Sequence, residues 1–557
     1  MARLAIIPLC GLVLTATAVP VACLAQSEAQ RLNPVHDAYP EPKIAFDEAP
    51  EEPPPDDSLA AAIADAFSSN PDLAARRYDL RATDDEIGIA LSQTRPQVQM
   101  EVSGGYDLTY PGRITQANRP LADRLSSRNI ERNDITSQFV IDQPITTGGR
   151  ATSTLRAAMA TSDAGRATLR GAEGDLLVDL IAAYSDVRRD RRALTIRQRN
   201  LQTLEATLSE IVARRDAGEL TRTDIAQAET QLEAARVQLN AAEAQFETSR
   251  ASYVAIVGRA PGNLAPEPDL PGLPQSSDDA FAMAETANPD LAAAIATARA
   301  SKERIALAQA EGRPTVSLRG TAGTTGPAYP LDRRDQDASF TGRLTVTIPL
   351  FAGGRVRAQI DQARNRESAD TLRIEAMRRQ LVQAIVVAWN QWVTADRNAR
   401  AQGLQVRAAR IYYEGSLEEY REGLRSTFDV LYAQNSLSEA EIALFSSKRD
   451  SYVAQAILLR RLGSLDSEHL LASGPRYDPD AYLRSVRRRS AVPWGGVIRS
   501  IDALDTPGGK PQAITRPAAS GQPASAPASP AAVPEALMPG AKGAPAPSST
   551  SAREPRP

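Results

Sequence analysis

Cysteine and histidine are almost absent from this chain. Its 557 residues include only two cysteines, Cys10 and Cys23, and two histidines, His36 and His469. None of the four has a spacing typical of a zinc site or of a nucleophile beside its base. We therefore expect a protein that is not an enzyme and that carries no metal and no cofactor.

Excess positive charge and long hydrophobic runs are lacking as well. Lys and Arg number 64 against 68 Asp and Glu, for a net charge of −4. Nucleic-acid-binding domains usually carry basic patches, so nucleic acid is not an expected partner. Beyond the N-terminal region, no apolar stretch reaches the ~18 residues of a transmembrane helix, so any membrane crossing would have to be made by strands.

The two ends of the chain differ in composition from its centre. Arg3 precedes a long apolar stretch and "CLAQ", which predicts a signal peptide over 1–25. A lipoprotein signal that lipidates Cys23 is the alternative. Residues 26–57 are expected to form an acidic, proline-rich, flexible lead-in, and the Ala/Pro-rich tail 506–557 is expected to be disordered.

The centre of the chain repeats itself. "NPDLAA" occupies 70–75 and again 288–293, an offset of 218 residues, while Pro144 and Pro349 are separated by 205. This colinearity predicts an internal duplication. We expect a first repeat over 58–260, a linker over 261–277, a second repeat over 278–465, and an equatorial or loosely ordered segment over 466–505.

Four segments alternate between apolar and polar residues, as strands with one apolar face do. In the first, Val98, Met100 and Val102 alternate with Gln97, Gln99 and Glu101. The alternation suits a soluble sandwich and a lipid-facing barrel equally well. The strands are predicted at about 97–110, 132–144, 315–326 and 338–350.

Helical patterns fill the rest of both repeats. Each repeat is expected to open with a helix, and after its strands to contain a very long helix followed by a shorter return helix. A 65-residue helix spans about 100 Å, and the return helices keep a heptad seam, which also fits an ordinary coiled coil. The three kinds of helix are predicted at about 58–93 and 278–311, 150–216 and 355–421, and 220–257 and 425–462.

Glycines lie at the boundaries between these predicted elements. Gly148, Gly149, Gly353 and Gly354 are expected to turn the return strands into the long helices, each after a proline that ends the strand. Gly218 and Gly423 are expected to form the turns between long and return helices. Four strands cannot close a barrel, so several chains would have to combine theirs in a membrane.

Two of these stretches, "IPLFAGGRVRAQIDQA" and "YREGLRSTFDVLYAQNSLSEAE", resemble the TolC outer-membrane efflux protein family. The resemblance covers about 58–465. It implies a mainly α fold with a transmembrane β part: a homotrimer whose twelve strands form a barrel in outer-membrane lipid, continuous with a twelve-helix periplasmic tunnel. It implies a periplasmic adaptor and an inner-membrane ABC or proton-driven transporter as partners.

The same resemblance assigns a gate to the periplasmic helix tips. It implies that Tyr420 and Arg425 face Asp224 when the tip is closed, and that Asp429 lines the entrance as a ring of carboxylates. The family's second acidic position is occupied by Tyr432 here, which leaves one ring instead of two.

Two other functions stay open at this point. A periplasmic adaptor or scaffold would also use helical hairpins, although two tandem hairpins with their own strand pairs favour a channel. A soluble fibrous coiled coil would leave the alternating strands unexplained.

Overall fold

The computed structural model describes residues 57–110, 112, 117, 118, 120, 121, 130–329, 331–466 and 477–504. The predicted signal peptide and the Ala/Pro-rich tail lie outside these residues, as does the lead-in apart from Asp57. His36, His469 and both cysteines also lie outside them.

The two halves have the same order of elements. The first half contains α1 (Leu59–Ser69), α2 (Pro71–Ser92), β1 (Gln97–Thr109), β2 (Ile130–Thr146), α3 (Arg150–Asp216) and α4 (Arg222–Val257). The second half contains α5 (Ser277–Ala287), α6 (Pro289–Ala310), β3 (Thr315–Pro327), β4 (Asp337–Thr347), α7 (Arg355–Arg421) and α8 (Thr427–Leu462). Two further helices follow, α9 (Pro479–Arg489) and α10 (Gly495–Leu504). No helix in the described ranges is both long and apolar enough to cross a membrane.

The four strands form one antiparallel sheet in the order β1-β2-β3-β4. β2 continues past Pro144, which pairs with Ser317 before the register shifts, so this proline lies within the strand instead of ending it. β4 ends at Thr347, and Ile348 to Leu350 lie beyond it. The expectation that a proline ends each return strand is therefore correct for Pro349 and wrong for Pro144.

The apolar side of the sheet is exposed in the single chain. Val98, Met100 and Val102 on β1 are more than half exposed, and Phe340 on β4 is 83% exposed. An apolar sheet face that no protein covers needs another apolar environment, either lipid or a second protein surface.

The main core surrounds the middle of α3. Tyr184, Leu177, Leu180 and Ile181 are fully buried there, among side chains of α1, α4 and α8. The Tyr184 hydroxyl donates to the carbonyl oxygen of Ala265 at 2.8 Å, which holds the connection between the halves against α3. With 67 residues, α3 is about 100 Å long, so this core occupies only part of the length of the helix bundle.

Each "NPDL" motif breaks a helix that the sequence pattern predicts as continuous. Asn70 and Asn288 end α1 and α5, and their side chains accept hydrogen bonds from Leu73 N (3.0 Å) and Leu291 N (2.9 Å) at the start of α2 and α6. The following proline disfavours helical geometry at the asparagine and is well tolerated at the first helical position. The continuous helices predicted at 58–93 and 278–311 are therefore each two helices.

The asparagines also join elements that are distant in sequence. The side-chain NH2 groups of Asn70 and Asn288 donate to Ile256 O (3.3 Å) and Arg461 O (2.9 Å), near the ends of α4 and α8. The repeated motif is thus a structural joint that fixes the far end of each return helix.

Candidate functional site: hairpin tips and strand-to-helix turns

The two hairpin tips have the same backbone geometry. At the first tip, Gly218 has φ of +86° and its N–H donates to Arg215 O at 2.9 Å, while Glu219 N donates to Arg214 O at 2.9 Å. Gly423, with φ of +76°, makes the equivalent bonds at the second tip. These paired bonds form a Schellman motif, which ends a helix with a residue of positive φ and so favours glycine.

Asp224 and Asp429 cap the return helices. The Oδ2 of Asp224 accepts hydrogen bonds from Thr221 N (2.9 Å) and Thr221 Oγ1 (2.8 Å). Asp429 makes the same bonds with Ser426 N (3.2 Å) and Ser426 Oγ (2.7 Å). Each pair is a capping box, and the bonds lower the pKa of both carboxyls. Both aspartates are therefore charged at neutral pH and oriented by the start of their own helix.

Arg425 and Tyr420 contact other partners than the resemblance implies. Within the chain, Arg425 Nε donates to Glu419 Oε2 at 2.5 Å, across the Gly423 turn. Tyr420 is buried, and the guanidinium of Arg214 lies 5.0 Å from its ring centre. The structure thus places the predicted gate residues Arg425 and Tyr420 at the second tip and joins them to Glu419 and Arg214. A contact of Arg425 with Asp224 stays a prediction, which a neighbouring copy could fulfil.

Glu419 and Arg214 were missed at the sequence level, although a signal exists. Arg214 and Glu419 occupy equivalent positions in the two halves, each four residues before the glycine of its turn. Their charges are opposite. Arg214 pairs with Glu219 at 2.9 Å on its own tip, as Glu419 pairs with Arg425. Charge complementarity across a glycine turn would have identified both pairs.

Polar contacts join the two hairpins above the tips. Arg197 on α3 donates to Glu439 Oε1 on α8 at 2.8 Å, and Gln434 Nε2 donates to Asn200 Oδ1 at 2.9 Å. Asn200 and Gln434 are buried. Leu431 of α8 packs with Leu204 and Ile211 of α3 in the same region. The tips of one chain are therefore held side by side by packed and hydrogen-bonded contacts.

The second tip carries an apolar surface. Leu424, Phe428 and Tyr432 are all more than half exposed, and the two rings stack with centroids 6.2 Å apart. At the equivalent first-tip positions stand Glu219, Thr223 and Gln227. Only the second tip thus presents a surface that gains by being covered.

The strand-to-helix turns contain the four predicted glycines with positive φ. Gly148 and Gly149 have φ of +69° and +86°, and Gly353 and Gly354 have +60° and +83°. A Cβ on Gly148 would lie 2.8 Å from Arg313 Cβ, so this turn also needs glycine for close approach to the end of α6. The two turns are thus alike in backbone but differ in their surroundings.

Asp502 of α10 binds the first turn and was missed in the sequence. One carboxylate oxygen accepts from Thr147 N (2.7 Å) and Thr147 Oγ1 (2.8 Å), and the other from Thr152 N (3.1 Å) and Thr152 Oγ1 (2.8 Å). Burial opposes ionisation of Asp502, but these bonds outweigh it and lower the pKa. A carboxylate at the start of a 67-residue helix also complements its dipole.

The second turn differs in its capping. Gly149 and Gly354 both lack a cap bond of their own, but Ala352 and Arg357 stand where Thr147 and Thr152 bind Asp502 in the first half. Leu350 and Phe351, just before this turn, are 93% and 90% exposed. Within the described ranges, no cluster of three His, Cys, Asp or Glu side chains could hold a metal ion at either turn.

Comparison with known proteins places this geometry in a family. The sequence model of the outer membrane efflux protein family matches residues 62–259 and 281–464. The outer membrane efflux protein BepC of Brucella suis is 30% identical over 441 residues, which cover 79% of this chain and 92% of BepC. The outer membrane protein TolC of Escherichia coli is 23% identical over 431 residues, covering 75% of this chain and 84% of TolC.

Solved structures share the fold. The CmeC outer membrane channel of Campylobacter jejuni superposes with a TM-score of 0.64 at 16% identity, covering 77% of this chain and 89% of that chain. The open-state MtrE outer membrane channel of Neisseria gonorrhoeae gives 0.59 at 21% identity, covering 73% and 88%. These likenesses match the mostly helical architecture with one small sheet.

The predicted resemblance is confirmed, and the adaptor and fibrous coiled-coil alternatives are set aside. The family match spans both halves of the chain, including both hairpins and all four strands. The chain belongs to the outer membrane efflux protein family, and it is an export channel of the outer membrane that reaches into the periplasm.

Proposed function

We propose that three copies of this internally duplicated chain assemble into one passive export duct. Each copy contributes four strands to a twelve-stranded barrel in outer-membrane lipid and two hairpins to a twelve-helix tunnel through the periplasm. The edges of the sheet support this proposal best. Within the described residues, β1 and β4 each pair on one side only, and unpaired backbone groups in hydrocarbon cost several kcal/mol each.

The long helices support the same assembly. α3 and α7 both have 67 residues, yet 22 residues of α3 are buried and only six of α7. α7 packs against α6 and α8 on one side, whereas its other surface exposes Leu372, Leu404 and Ile411. A second copy placed beside α7 and β4 would cover this surface and continue the sheet at once.

Cross-linking tests this arrangement. Cys10 and Cys23 both lie in the predicted signal peptide, so the processed chain should give no background reaction when one cysteine is placed on β1 and one on β4. With Ser103→Cys and Ser339→Cys, mild oxidation should link chains into a ring of three. A matched pair on the inner strands, Ser137→Cys and Thr324→Cys, faces each other within one chain and should give monomers. If the edge pair forms no cross-links between chains, the proposal is contradicted.

A gate at the tips is the second part of the proposal. Three copies of Tyr420, Arg425, Asp224 and Asp429 would surround the periplasmic entrance. Since capping keeps Asp429 ionised, three copies would favour cations there. Because Tyr432 occupies the family's second acidic position, cation selectivity would depend on the single ring of Asp429 carboxylates. Arg425 would hold the tips closed by charge-assisted bonds that are strong yet breakable.

Single-channel conductance tests the gate. Arg425→Ala should raise the conductance in planar bilayers, and Arg236→Ala, which removes an exposed pair higher on the first hairpin, should leave it unchanged. Glu419→Ala separates two mechanisms. If Arg425 acts only through Glu419, both variants raise the conductance equally; if it reaches the next copy, Arg425→Ala has the larger effect. Unchanged conductance in Arg425→Ala would contradict the gate.

The energy for export would come from partners. We propose a periplasmic adaptor that engages the hairpins and an inner-membrane ABC or proton-driven transporter that drives the cargo. The apolar surface of Leu424, Phe428 and Tyr432 supports a covered tip in the working assembly. Co-purification of the full chain with the adaptor and transporter would test this, and complete export in a strain lacking every such transporter would contradict it.

A further inference from the structure

Helices α9 and α10 form a surface that the channel function does not use. They lie beyond the residues 62–259 and 281–464 that the family model matches. α9 packs along α2, where the Tyr482 hydroxyl donates to Asp85 Oδ2 at 2.9 Å and Leu483 packs with Ile87 and Leu91. α10 then packs against β2 and the start of α3. The pair therefore ends at the level where strands become helices.

This level is one end of the sheet. All four strands begin or end next to a helix here, at Gln97, Thr146, Thr315 and Thr347, while their other ends carry the loops. If the strands cross the outer membrane and the helices lie in the periplasm, this level is the periplasmic face of the bilayer. The placement of α10 thus rests on the proposed function.

The exposed side of α10 is apolar. Val497, Ile501 and Leu504 are spaced four and three residues apart and share one face, and Trp494 lies in the turn directly before α10, three residues ahead of Val497; all four are exposed. The opposite side is fixed, since Ile498 and Asp502 are buried and Asp502 binds the first turn. The helix is therefore held rigidly with its apolar stripe outward.

Positive charge precedes this stripe in the chain by five to seven residues. Arg487, Arg488 and Arg489 end α9 and are exposed, although the whole chain carries a net charge of −4. The acids of the segment are engaged elsewhere: Asp478 bonds Arg484, Asp480 lies 3.3 Å from Arg166 Nε, and Asp502 is buried. The local surface is thus basic next to an apolar face that bears a tryptophan.

We propose that α9 and α10 form a lipid-binding collar, in which Trp494, Val497, Ile501 and Leu504 enter the periplasmic leaflet and Arg487 to Arg489 bind anionic phospholipid headgroups. Amphipathic helices with basic residues beside an apolar face lie in this way at bilayer surfaces. Tryptophan is enriched at this depth because its ring is apolar and its N–H is polar. The collar would fix the height of the barrel in the membrane.

Trp494 provides a direct test. The protein also contains Trp389 and Trp392, but these lie 34 or more residues into α7, about 50 Å from the membrane level. In proteoliposomes with lipids brominated near the headgroup, the bromine should quench the fluorescence of Trp494, which is the part of the emission that Trp494→Phe removes. The fluorescence of Trp389 and Trp392 should not be quenched. If Trp494 is not quenched, the collar is overturned. A blue-shifted emission maximum would then show that a second copy covers Trp494, and a red-shifted maximum would show that water surrounds it.

A strand residue separates failure of the collar from failure of the channel. In the Trp494→Phe background, Phe340→Trp places a tryptophan on the exposed apolar side of β4. If this residue is quenched and Trp494 is not, the strands are in lipid and only the collar is wrong. If neither is quenched, the proposed membrane barrel fails and the collar with it.

Lipid charge tests the arginines. Brominated phosphatidylglycerol should quench Trp494 more than brominated phosphatidylcholine, because each arginine near an anionic surface favours it about fivefold. Arg487→Gln with Arg488→Gln and Arg489→Gln should remove most of this preference. The control replaces three exposed arginines of the first hairpin, Arg199, Arg222 and Arg236, by glutamine and should keep it. An unchanged preference in the α9 variant would overturn the role of the arginines.

Discussion

The first and second halves share a backbone plan but differ in what covers them. α3 is enclosed by α2, α4, α6 and α8, whereas α7 meets α6 and α8 and leaves much of its length exposed. The first turn is bound by Asp502 through Thr147, whereas the second turn has Ala352 at the equivalent position. The first tip is polar, and the second is apolar. At each of these three levels, the second half is the one left for another molecule to complete.

This difference explains how one repeated plan serves both folding and assembly. Both halves supply buried side chains that hold the single chain together, among them Tyr184 and Tyr253 in the first and Leu458 and Leu459 in the second. The second half repeats the lengths of the helices, so that the two hairpins stay in register at their tips. Divergence of residues on this common backbone changes burial helix by helix: α3 buries 22 residues and α7 six, whereas α8 buries 15 and α4 six.

The largest expected effect comes from charging the exposed side of α7. Leu404→Glu combined with Ile411→Glu places two carboxylates seven residues apart on one face that is exposed in the single chain. Burial of an uncompensated charge costs about 3–5 kcal/mol, so the trimer should dissociate in detergent, as size-exclusion chromatography with light scattering would measure. Gln405→Glu, at a neighbouring exposed position, is the control. A fully trimeric double variant would show that α7 faces solvent in the assembly.

Removing the Asp502 carboxylate should have the next largest effect. Asp502→Asn abolishes charged acceptors for Thr147 and Thr152, and hydrogen bonds to a charged group are worth about 1.5–3 kcal/mol each. We expect a clear fall in the thermal unfolding midpoint of the detergent-solubilised protein. At the second turn, Arg357→Ala changes the position equivalent to Thr152, and its midpoint should match that of the unaltered protein. If both variants unfold at the same midpoint, the two turns do not differ in how they are stabilised.

A smaller effect is expected when the second tip is made to resemble the first. Phe428→Thr with Tyr432→Gln introduces the residues found at 223 and 227 and removes an aromatic pair worth about 0.5–1.5 kcal/mol. The closed tip should loosen, so the conductance of single channels should rise. Thr223→Ser alters the first tip without changing its polarity and should have no effect. A conductance that stays constant would mean that the aromatic surface is not part of the closed tip.

The smallest effect concerns acid. The pKa values of Asp224 and Asp429 are lowered in the folded chain, so the stability that they contribute is present above the unfolded value of about 3.9 and is lost as the pH falls through the folded value. The protection of amides against exchange in the first turns of α4 and α8, relative to the unfolded chain at the same pH, should therefore fall below about pH 4. With Thr221→Ala and Ser426→Ala, part of this protection should already be missing at neutral pH. Protection that stays constant through this pH range would exclude the capping role.

The sequence predicts the local plan well, because its signals are local. Gly-Gly before Arg150 and Arg355 predicts where the long helices start, and Gly218 and Gly423 predict where they end. The break at Asn70 could also have been predicted, since an asparagine before proline favours a cap over a continuous helix. The strand positions follow from the alternation to within a few residues, and the extension of β2 past Pro144 depends on its partner β3.

The contacts between distant segments could not be predicted in this way. Asp502 lies 355 residues from Thr147, and nothing in its neighbourhood marks it as a cap for another helix. Arg425 pairs with Glu419 because the turn brings them together, whereas the resemblance directs attention to Asp224. Packing, burial and the choice between several possible acids decide such contacts, and these are properties of the folded chain.

Native mass spectrometry of the detergent-solubilised chain counts the copies in one complex. The exposed side of α7 and the open edges of β1 and β4 require neighbours, so we expect a complex of three copies that survives removal of excess detergent. A stable single chain that stays in solution without detergent would contradict the account, because it would show that those surfaces need no partner.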